Sequence, residues 1–502
     1  VFPRTSVFRV HTNNEITMTI THLDGRIPLT CIFRALGVES DKEILDMITS
    51  NDDERSFLRT SLVRGAKIAG YNQYTAIAYL VPRTRFHTLL DLKNVLANDL
   101  FPNMGSSAAD MLKKAQMLAR ITLRLVRSAL GKEPLSELDD YTNKRLHISG
   151  DFVSDSFRDA FYKTGVAATN ALNVEFDVGA WRITNDILTL VTEANLKSIF
   201  QTYILKDALR LALKGRGKLA ESEDPGTPVQ ALSRVSYLAY VSHMRRVNNP
   251  VDRTVKMVSP HVLRASHWGI VCPVESPDGP NIGLLTHLAS CCIISPAISD
   301  EIVMSLVSKH LEDNSKKCNT FLNDTWIGTC SDPEPMLTSL KSLKRKKETR
   351  MIGVSWDVHR NEVHIRTDRG RCCRPLIVLP LNKSVPKTFD EMLDSGIIEL
   401  VDVEEVVSNC LIAMQPTDIK RYPLNRYTHM EPHAGAILSL VAGTFPMLNH
   451  NSGTKSVLSM AQVKQALGIS LTSQRDRLDT DAYELNYAQC PLITTTMANR
   501  LF

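Results

Sequence analysis

Alternating apolar and polar residues near the start of the chain predict β-strands. The alternation runs through residues 7–10 and 16–20, with the sequences VFRV and ITMTI. It gives way at residues 27–37, IPLTCIFRALG, to a mostly apolar run that ends in glycine. Glycine commonly follows the last turn of a helix, so we expect a helix that ends at Gly37. The first domain is therefore predicted to mix strands and helices.

Residues 108–130 have the pattern of an amphipathic helix. Its inner face is predicted to comprise positions at helical spacing, namely Met111, Ala115, Leu118, Thr122, Leu125 and Ala129. Three arginines, Arg120, Arg124 and Arg127, share another face. We interpret this basic stripe as a solvated surface, with contact to phosphate groups as the alternative.

Later segments predict a helical block, a loop and then a region rich in strands. Residues 186–214 form the helical block, and residues 214–230 collect glycine, proline and charge of both signs, as loops do. From residue 293 to about residue 424, short strands with turns are predicted. The clearest strands carry alternating apolar residues: Val354, Trp356 and Val358 before a turn at residues 359–361, then Val363 and Ile365.

A basic cluster precedes these two strands. It consists of Lys341, Lys344, Arg345, Lys346, Lys347 and Arg350. We interpret it as the solvated end of a helix, and contact with nucleic acid or a partner protein is the alternative.

Composition narrows the class of protein. With 502 residues, of which 43% are hydrophobic and 23% charged, the chain is typical of a folded protein with several domains. It has no apolar run of about 20 residues that would span a bilayer and no opening pattern typical of a secretory signal, so we expect no membrane association. The net charge of +5 is small for this length, so local patches would have to attract nucleic acid.

The ten cysteines indicate reduced thiols. None has the CxxC spacing usual in structural zinc sites, so we predict no zinc site and an intracellular protein. The chain starts at Val1 rather than at methionine and stops at Phe502. We therefore expect a fragment, or one half of a split protein.

Residues 242–288 combine a basic stretch with an irregular acidic loop. The basic stretch contains His243, Arg245, Arg246, Arg253, Lys256, Arg264 and His267. Pro250 and Pro260 prevent one continuous helix, so these side chains would project from a loop that can follow a phosphate backbone. An ordinary solvated loop is the alternative.

The acidic part of this segment, CPVESPDGPNIG at residues 272–283, has a backbone stiffened by three prolines. Glu275 and Asp278 lie three residues apart in it. Such paired carboxylates could serve acid–base catalysis or bind a metal, or they could belong to a tight structural turn.

A third segment, YTHMEPH, contains possible metal ligands. His429, Glu431 and His433 would share one face of an extended strand, as two histidines and one carboxylate do in some metal sites. Because no other feature indicates a metal, we interpret these residues as hydrogen-bonded structure.

A fourth segment, residues 450–468, predicts a loop that leads into a helix. Lys455 lies near the start of this helix, and Lys464 and Gln465 follow two to three turns later. Loop amides, a helix N-terminus and lysines suit phosphate groups, although the spacing differs from that of a Walker-type NTPase. The acidic run at residues 476–481 could hold Mg²⁺, but such runs are more often caps and solvated turns.

These segments resemble, in the same order, parts of the second-largest, beta-type subunit of multisubunit DNA-dependent RNA polymerases. The motifs that carry the resemblance are IPLTCIFRALG, DLFPNMG, NKRLHISG, the whole 242–288 segment, TDRGRCCRPL, LIAMQP, YTHMEPH, KQALG and RLDTDAYELNYAQCPLITT. The matches cover almost the whole chain. The resemblance implies a mixed α/β, multidomain fold that is truncated before its double-psi barrel is complete.

The resemblance also implies domain names. These are the lobe at residues 1–150, a protrusion segment at 151–215, the fork at 216–295, the β-rich external domains at 296–425 and the start of the hybrid-binding domain at 426–502. The two fork loops would be residues 214–230 and 247–263.

The resemblance further implies roles for individual side chains. In the fork, contact with nucleic acid is implied for His243, Arg245, Arg246, Arg253, Lys256 and Arg264. Positions near the incoming nucleotide or the RNA 3′ end are implied for Asp278, Lys455, Lys464 and Gln465. Lys455 stands where the family usually has arginine, so it keeps the charge but loses the bidentate geometry.

The implied function is DNA-templated RNA synthesis by nucleotidyl transfer from NTPs, and it requires a complex with the largest subunit. The resemblance also implies that the largest subunit mainly holds the catalytic Mg²⁺, so we expect no catalytic residue in this chain. Its implied partners are that subunit, smaller assembly subunits, the DNA template, the RNA–DNA hybrid and NTPs. The alternative is a non-catalytic nucleic-acid-binding relative that retains the lobe and the fork.

Overall fold

The structure is a computed structural model that describes nine ranges of the chain. They are residues 5–179, 191–214, 229–251, 257–311, 318–380, 388–422, 426–466, 486–487 and 492–501. Most of the predicted loop at 214–230 and the acidic run at 476–481 lie outside these ranges.

The helices of the described ranges are α1 (Leu29–Ala35), α2 (Asp41–Ile48), α3 (Asp52–Ala69), α4 (Gln73–Leu80), α5 (Leu89–Asn98), α6 (Ala108–Ala129), α7 (Ser149–Val178), α8 (Leu196–Ile199), α9 (Thr202–Leu213), α10 (Tyr237–Met244), α11 (Asp300–Val307), α12 (Pro333–Lys344), α13 (Phe389–Asp394), α14 (Val403–Asn409), α15 (Pro416–Arg421), α16 (Gly453–Gln465) and α17 (Thr496–Leu501).

The strands of these ranges are β1 (Ser6–Val10), β2 (Ile16–Ile20), β3 (Ile27–Pro28), β4 (Arg246–Asn248), β5 (Leu285–His287), β6 (Ile293–Ile294), β7 (Cys318–Leu322), β8 (Thr325–Cys330), β9 (Gly353–Asp357), β10 (Glu362–Arg366), β11 (Cys372–Val378), β12 (Ile398–Asp402), β13 (Ile412–Ala413) and β14 (His429–Met430). The mixed α/β class predicted from the sequence is confirmed. No helix in the described part of the chain is long and apolar enough to cross a lipid bilayer.

The chain divides into two compact units. The first consists of Val1–Glu137, Asp300–Leu337 and Trp356–Arg366. The second consists of Leu138–Ser299, Thr338–Ser355 and Thr367–Phe502.

The first unit opens on an antiparallel sheet in the order β1-β2-β3, which confirms the strands predicted from alternation. Strand β2 is buried on both faces, and the helix after β3 is buried along its whole length. That helix, α1, ends as predicted, because Gly37 adopts a φ of +102° that side chains with a Cβ disfavour. Ile16, Met18 and Phe33 lie at the centre of the resulting core.

Helix α6 confirms the predicted amphipathic helix, but its basic stripe is not uniformly solvated. Arg120 forms an ion pair with Glu362, and its guanidinium lies 3.4 Å from the centre of the Phe321 ring. Arg127 donates from Nε to Glu54 at 3.1 Å. Only the middle arginine of the stripe, Arg124, is exposed. Two of the three arginines therefore form ion pairs within the first unit.

The later strands of the first unit form a sheet in which β7 pairs antiparallel with β8 and parallel with β10. The strands predicted around Val354 and Val363 are confirmed as β9 and β10, and the division between the units falls within β9. Helices α11 to α15 alternate with the strands of this region, which the alternating pattern did not predict.

The second unit contains the 30-residue helix α7, which no pattern in the sequence singled out. It packs against α9, part of the predicted helical block. Phe157 and Phe161 stack on its surface with ring centres 6.0 Å apart and remain exposed. Apolar side chains on both the inner and outer faces explain why its periodicity is weak.

One sheet of the second unit has the order β12-β11-β14-β13, and β6 also pairs with β11. Buried ion pairs surround it. Arg371 donates to Asp402 at 2.8 Å, and Arg374 pairs with Glu431. Lys344 donates to both carboxylate oxygens of Glu405 at 2.7 Å.

The burial of Lys344 corrects one expectation. The basic cluster around it was predicted to be a solvated helix end, yet Lys344 at the end of α12 is 4% exposed. Its ammonium faces a carboxylate from α14, which a pattern of local charges cannot show. The neighbouring Lys341, Lys346 and Lys347 are exposed, as expected.

Candidate nucleic-acid interface

The basic and acidic parts of the 242–288 segment are brought together by a two-stranded antiparallel ribbon. Strand β4 pairs with β5, so that Arg246 lies opposite His287 and Asn248 opposite Leu285. Helix α10 leads into β4 and is capped at its N-terminus by Ser236, whose hydroxyl accepts a hydrogen bond from the amide of Ala239 at 3.1 Å. The acidic loop therefore returns beside the basic stretch that precedes it.

Glu275 is the centre of a buried polar network in this segment. Its side chain is 1% exposed, and Oε1 accepts a hydrogen bond from Ser242 Oγ at 2.6 Å. The same oxygen lies 2.7 Å from the ammonium of Lys464 and 3.6 Å from Nε2 of His287. A buried carboxylate needs such partners, because an unpaired charge in the interior is costly.

His287 is neutral in this network. Burial lowers the pKa of its imidazole to about 4, in spite of the nearby Glu275 carboxylate. Its Nδ1 lies 3.0 Å from the carbonyl oxygen of Glu275, and Arg246 donates from Nε to its Nε2 at 3.4 Å. Both contacts fit an imidazole that carries its proton on Nδ1.

Lys464 is therefore the cation that neutralises Glu275. Burial alone would raise the pKa of Glu275, but the ammonium of Lys464 and the hydrogen bonds from Lys464 and Ser242 lower it below its usual value. Glu275 is consequently ionised at neutral pH.

Helix α16 is joined to α10 by backbone and apolar contacts as well. The hydroxyl of Ser236 donates to the carbonyl oxygen of Lys464. Leu238 and Met460 belong to one apolar cluster with Cys272. The sequence thus separates Lys464 from the 242–288 segment by almost 180 residues, whereas the fold places it against that segment.

Several basic side chains that were expected to contact nucleic acid make internal contacts. One nitrogen of Arg245, Nη2, donates to the carbonyl oxygens of Ala289 and Cys292 at 2.6 and 3.1 Å. His243 accepts from the amide of Ser233 at 3.0 Å, and burial lowers the pKa of its imidazole.

Arg246 and Arg264 also have internal partners. Burial lowers the pKa of Arg246, which contacts His287. Arg264 donates from Nη1 to the carbonyl oxygen of Ser259 at 2.8 Å and remains half-buried. Of the remaining three residues of the basic stretch, His267 is buried, and Arg253 and Lys256 lie outside the described residues.

Three predicted residues are exposed. Asp278 accepts from the amide of Gly279 at 2.9 Å and begins a short 3₁₀ turn. Lys455 lies in the first turn of α16, which is capped by the side chain of Ser452, and Gln465 ends that helix. The ammonium of Lys455 can therefore reach a phosphate near the helix N-terminus, where the helix dipole also favours an anion.

The suggested carboxylate pair of Glu275 and Asp278 is split by the fold, since the first is buried and the second exposed. In the YTHMEPH segment, Glu431 pairs with Arg374, and His433 accepts from the amide of Gly435 at 2.9 Å. Among the described residues, no group of three or more histidine, cysteine, aspartate or glutamate side chains could hold a metal ion.

Sequence reasoning missed Ser242 and His287, and it did not pair Glu275 with Lys464. One signal was available for His287, because a histidine in a strand next to a proline-rich acidic loop can face that loop. The contact with Lys464 had no local signal, because no spacing rule relates residues this far apart.

Comparison with known protein families identifies the family of this chain. Models of four successive domains of the RNA polymerase subunit Rpb2 match the chain in order: domain 2 at residues 4–147, domain 3 at 230–294, domain 4 at 320–380 and domain 5 at 389–451. The chain belongs to the RNA polymerase Rpb2 family. The Glu275 network lies largely in the part that matches Rpb2 domain 3, while Lys464 follows the part that matches Rpb2 domain 5.

Similar curated proteins carry matching names. The chain is 31% identical to DNA-directed RNA polymerase II subunit RPB2 of Encephalitozoon cuniculi, over 93% of the chain and 43% of that protein. It is 29% identical to DNA-directed RNA polymerase II subunit 2 of Arabidopsis thaliana, over 97% of the chain and 43% of that protein. It is 27% identical to DNA-directed RNA polymerase subunit Rpo2 of Sulfolobus acidocaldarius, over 97% of the chain and 44% of that protein. The chain thus spans less than half the length of these Rpb2 relatives.

Proposed function

We propose that this chain is part of a DNA-dependent RNA polymerase, in which it positions the DNA template, the RNA–DNA hybrid and the incoming NTP. The observation that carries the proposal is the match of four successive Rpb2 domains in their own order along the chain. Chance similarity of one short motif would not produce that order.

The geometry around α16 supports the proposal. The exposed Lys455 and the partly exposed Lys464 lie on one helix, and that helix is fixed against the 242–288 segment by the buried Glu275. Lysine charges held on a rigid element suit phosphate groups, since binding then costs little conformational entropy. We assign Lys455 to the NTP triphosphate, and Lys464 and Gln465 to the RNA 3′ end.

We also propose that the exposed Asp278 lies near the incoming nucleotide. In the fork, His243, Arg245, Arg246 and Arg264 have internal partners, so we assign them to shaping the surface that faces nucleic acid. We also propose the lobe, protrusion, fork, external and hybrid-binding identities for the ranges given from the sequence.

Following the resemblance to the polymerase family, we assign the catalytic Mg²⁺ mainly to the largest subunit. With Mg²⁺ bound there, the metal would stabilise charge on the reacting phosphate. The contribution of this chain is then to orient the two substrates, which can lower the barrier of a two-substrate reaction substantially.

The proposal can be tested on the native complex. The chain is tagged, purified with its bound partners, and assayed for RNA synthesis on a tailed DNA template. We expect a largest-subunit partner and an RNA product that requires template and all four NTPs. An untagged purification controls for contaminating polymerase.

Recovery of the tagged chain without a largest-subunit partner and without RNA product would contradict the proposal. DNA binding under those conditions would instead support the non-catalytic alternative. The three relatives described above do not favour that alternative, because each is named as a polymerase subunit.

A further inference from the structure

Glu275 has no direct role in the proposed function. Its side chain is 1% exposed and its carboxylate is already engaged by Ser242 and Lys464, so it cannot itself contact nucleic acid. A buried carboxylate that does not contact nucleic acid either stabilises the fold or acts through a neighbouring residue. The candidate neighbour is Lys464.

Lys464 is held at two points. Its carbonyl oxygen accepts from the hydroxyl of Ser236, and its ammonium lies 2.7 Å from Glu275. An ammonium has three N–H donors, and one suffices for the carboxylate oxygen. The side chain of Lys464 remains 18% exposed, so part of it is still accessible to a ligand.

This asymmetry distinguishes the pair from two ion pairs of the second unit in which both side chains are buried. In the pair of Arg374 and Glu431, both side chains are closed off, at 4% and 2% exposure. In the pair of Lys344 and Glu405 the values are 3% and 8%. Those pairs face inward from both sides, whereas the Glu275 pair has a buried anion and a cation that reaches the surface.

We infer that Glu275 is a positioning residue, which fixes the ammonium of Lys464 so that its remaining donors meet a phosphate of the RNA near its 3′ end. The inference rests on the proposed function. Ser242 and His287 hold Glu275 in turn, through the hydroxyl hydrogen bond and through the Glu275 carbonyl oxygen. The chain of contacts therefore runs from α10 through the acidic loop to α16.

The test uses the assembled polymerase on a preformed RNA–DNA scaffold, with active complexes counted by a single-nucleotide extension. Glu275→Gln keeps the size of the side chain and an acceptor for Ser242 but removes the charge. Because the RNA 3′ end would be misplaced, we expect kcat to fall between roughly fivefold and a hundredfold. The KM for the NTP should change little, since the triphosphate is assigned to Lys455.

A double-variant cycle separates positioning from simple damage. If Glu275 acts through Lys464, the pair Glu275→Gln and Lys464→Gln should cost no more in kcat than Lys464→Gln alone. Glu431→Gln is the matched control, because it also removes the charge of a buried carboxylate paired with a basic side chain. We expect this control to lower the yield of complex but to leave kcat per active complex unchanged.

If Glu275→Gln does not assemble into the polymerase, Ser242→Ala tests the positioning role of Glu275 instead. It removes one hydrogen bond to Glu275 and should lower kcat in the same direction by a smaller factor. A normal kcat per active complex in Glu275→Gln, or in Ser242→Ala when only that variant assembles, would overturn the inference, and so would additive losses in the double variant. A wild-type complex that makes no RNA would overturn the proposed function instead.

Discussion

Side chains of the 242–288 segment have roles that their chemical type alone does not reveal. Arg245 uses its guanidinium on backbone carbonyl oxygens, while Glu275 stays charged beneath the surface because Lys464 and Ser242 surround it. Buried charges are tolerated only with such partners. His243, Arg246 and Arg264 likewise make hydrogen bonds within the fold.

Lys455 provides the sharpest test for a single residue. We expect Lys455→Ala to raise the apparent KM for NTPs roughly tenfold or more, since a charged hydrogen bond to phosphate contributes about 1.5–3 kcal/mol. DNA binding should be nearly unchanged. Steady-state kinetics of the assembled polymerase, with DNA affinity measured in parallel, check both statements.

Lys346→Ala is the matched control, because Lys346 is another exposed lysine of the second unit. It should leave the KM unchanged. If Lys455→Ala weakens DNA binding and leaves the KM for NTPs as it was, the assignment of Lys455 to the triphosphate is wrong.

At the scale of single residues, the sequence was a better guide to the exposure of these side chains than to their contacts. The exposed positions of Asp278 and Lys455 suit the roles that the resemblance implied for them. The partners of Glu275 could not be predicted, because Ser242, His287 and Lys464 come from three different elements. Their roles toward nucleic acid remain predictions.

At the scale of elements, one buried ion pair joins helices α12 and α14. The carboxylate of Glu405 also accepts from the amides of Val354 and Asp402 at 2.7 and 3.1 Å. Burial raises the pKa of Glu405 to about 7, although Lys344 opposes that shift. For Lys344, burial works toward a lower pKa, but the facing Glu405 carboxylate raises it.

Lys344→Met should destabilise the chain by about 3–5 kcal/mol, because it leaves a buried carboxylate without its cation. The pKa of Glu405 would rise further, so the folded variant would hold a proton that the unfolded chain releases. The loss should therefore grow with pH above 7, by about 1.4 kcal/mol per pH unit. Urea unfolding of wild type and variant at pH 7 and pH 8.5 measures the difference.

Adding Glu405→Gln to Lys344→Met removes the titrating group and keeps an acceptor for Val354. This double variant should recover part of the stability and lose the extra pH dependence. A single variant whose loss is the same at both pH values would show that Glu405 does not titrate as described.

Elements with a clear period were predicted well. Strands β1 and β2 and helices α1 and α6 follow from alternation, helical spacing and a terminal glycine. Helix α7 was missed, because exposed residues such as Phe157 and Phe161 weaken its amphipathic pattern. The basic cluster indicated the end of α12, but helices α11 and α13 to α15 were missed among the strands because they are short, and short apolar runs do not separate helix from strand.

At the scale of the whole molecule, the chain has two compact units, and each is assembled from three separated stretches of sequence. Composition indicated several domains but could not show that residues 300–337 join the unit that begins the chain. Domain order in the sequence is read from local motifs, whereas compact units are defined by contacts between distant segments. The five domain names remain proposals for this reason.

The central claim is that α16 and the 242–288 segment face the growing RNA in an assembled polymerase. A photoreactive nucleotide at the RNA 3′ end of a stalled complex, followed by mapping of the crosslinked peptide, tests it directly. We predict crosslinks within Gly453–Gln465 and residues 242–283. Crosslinks to this chain that fall entirely within Val1–Glu137, with none in those two ranges, would contradict the account.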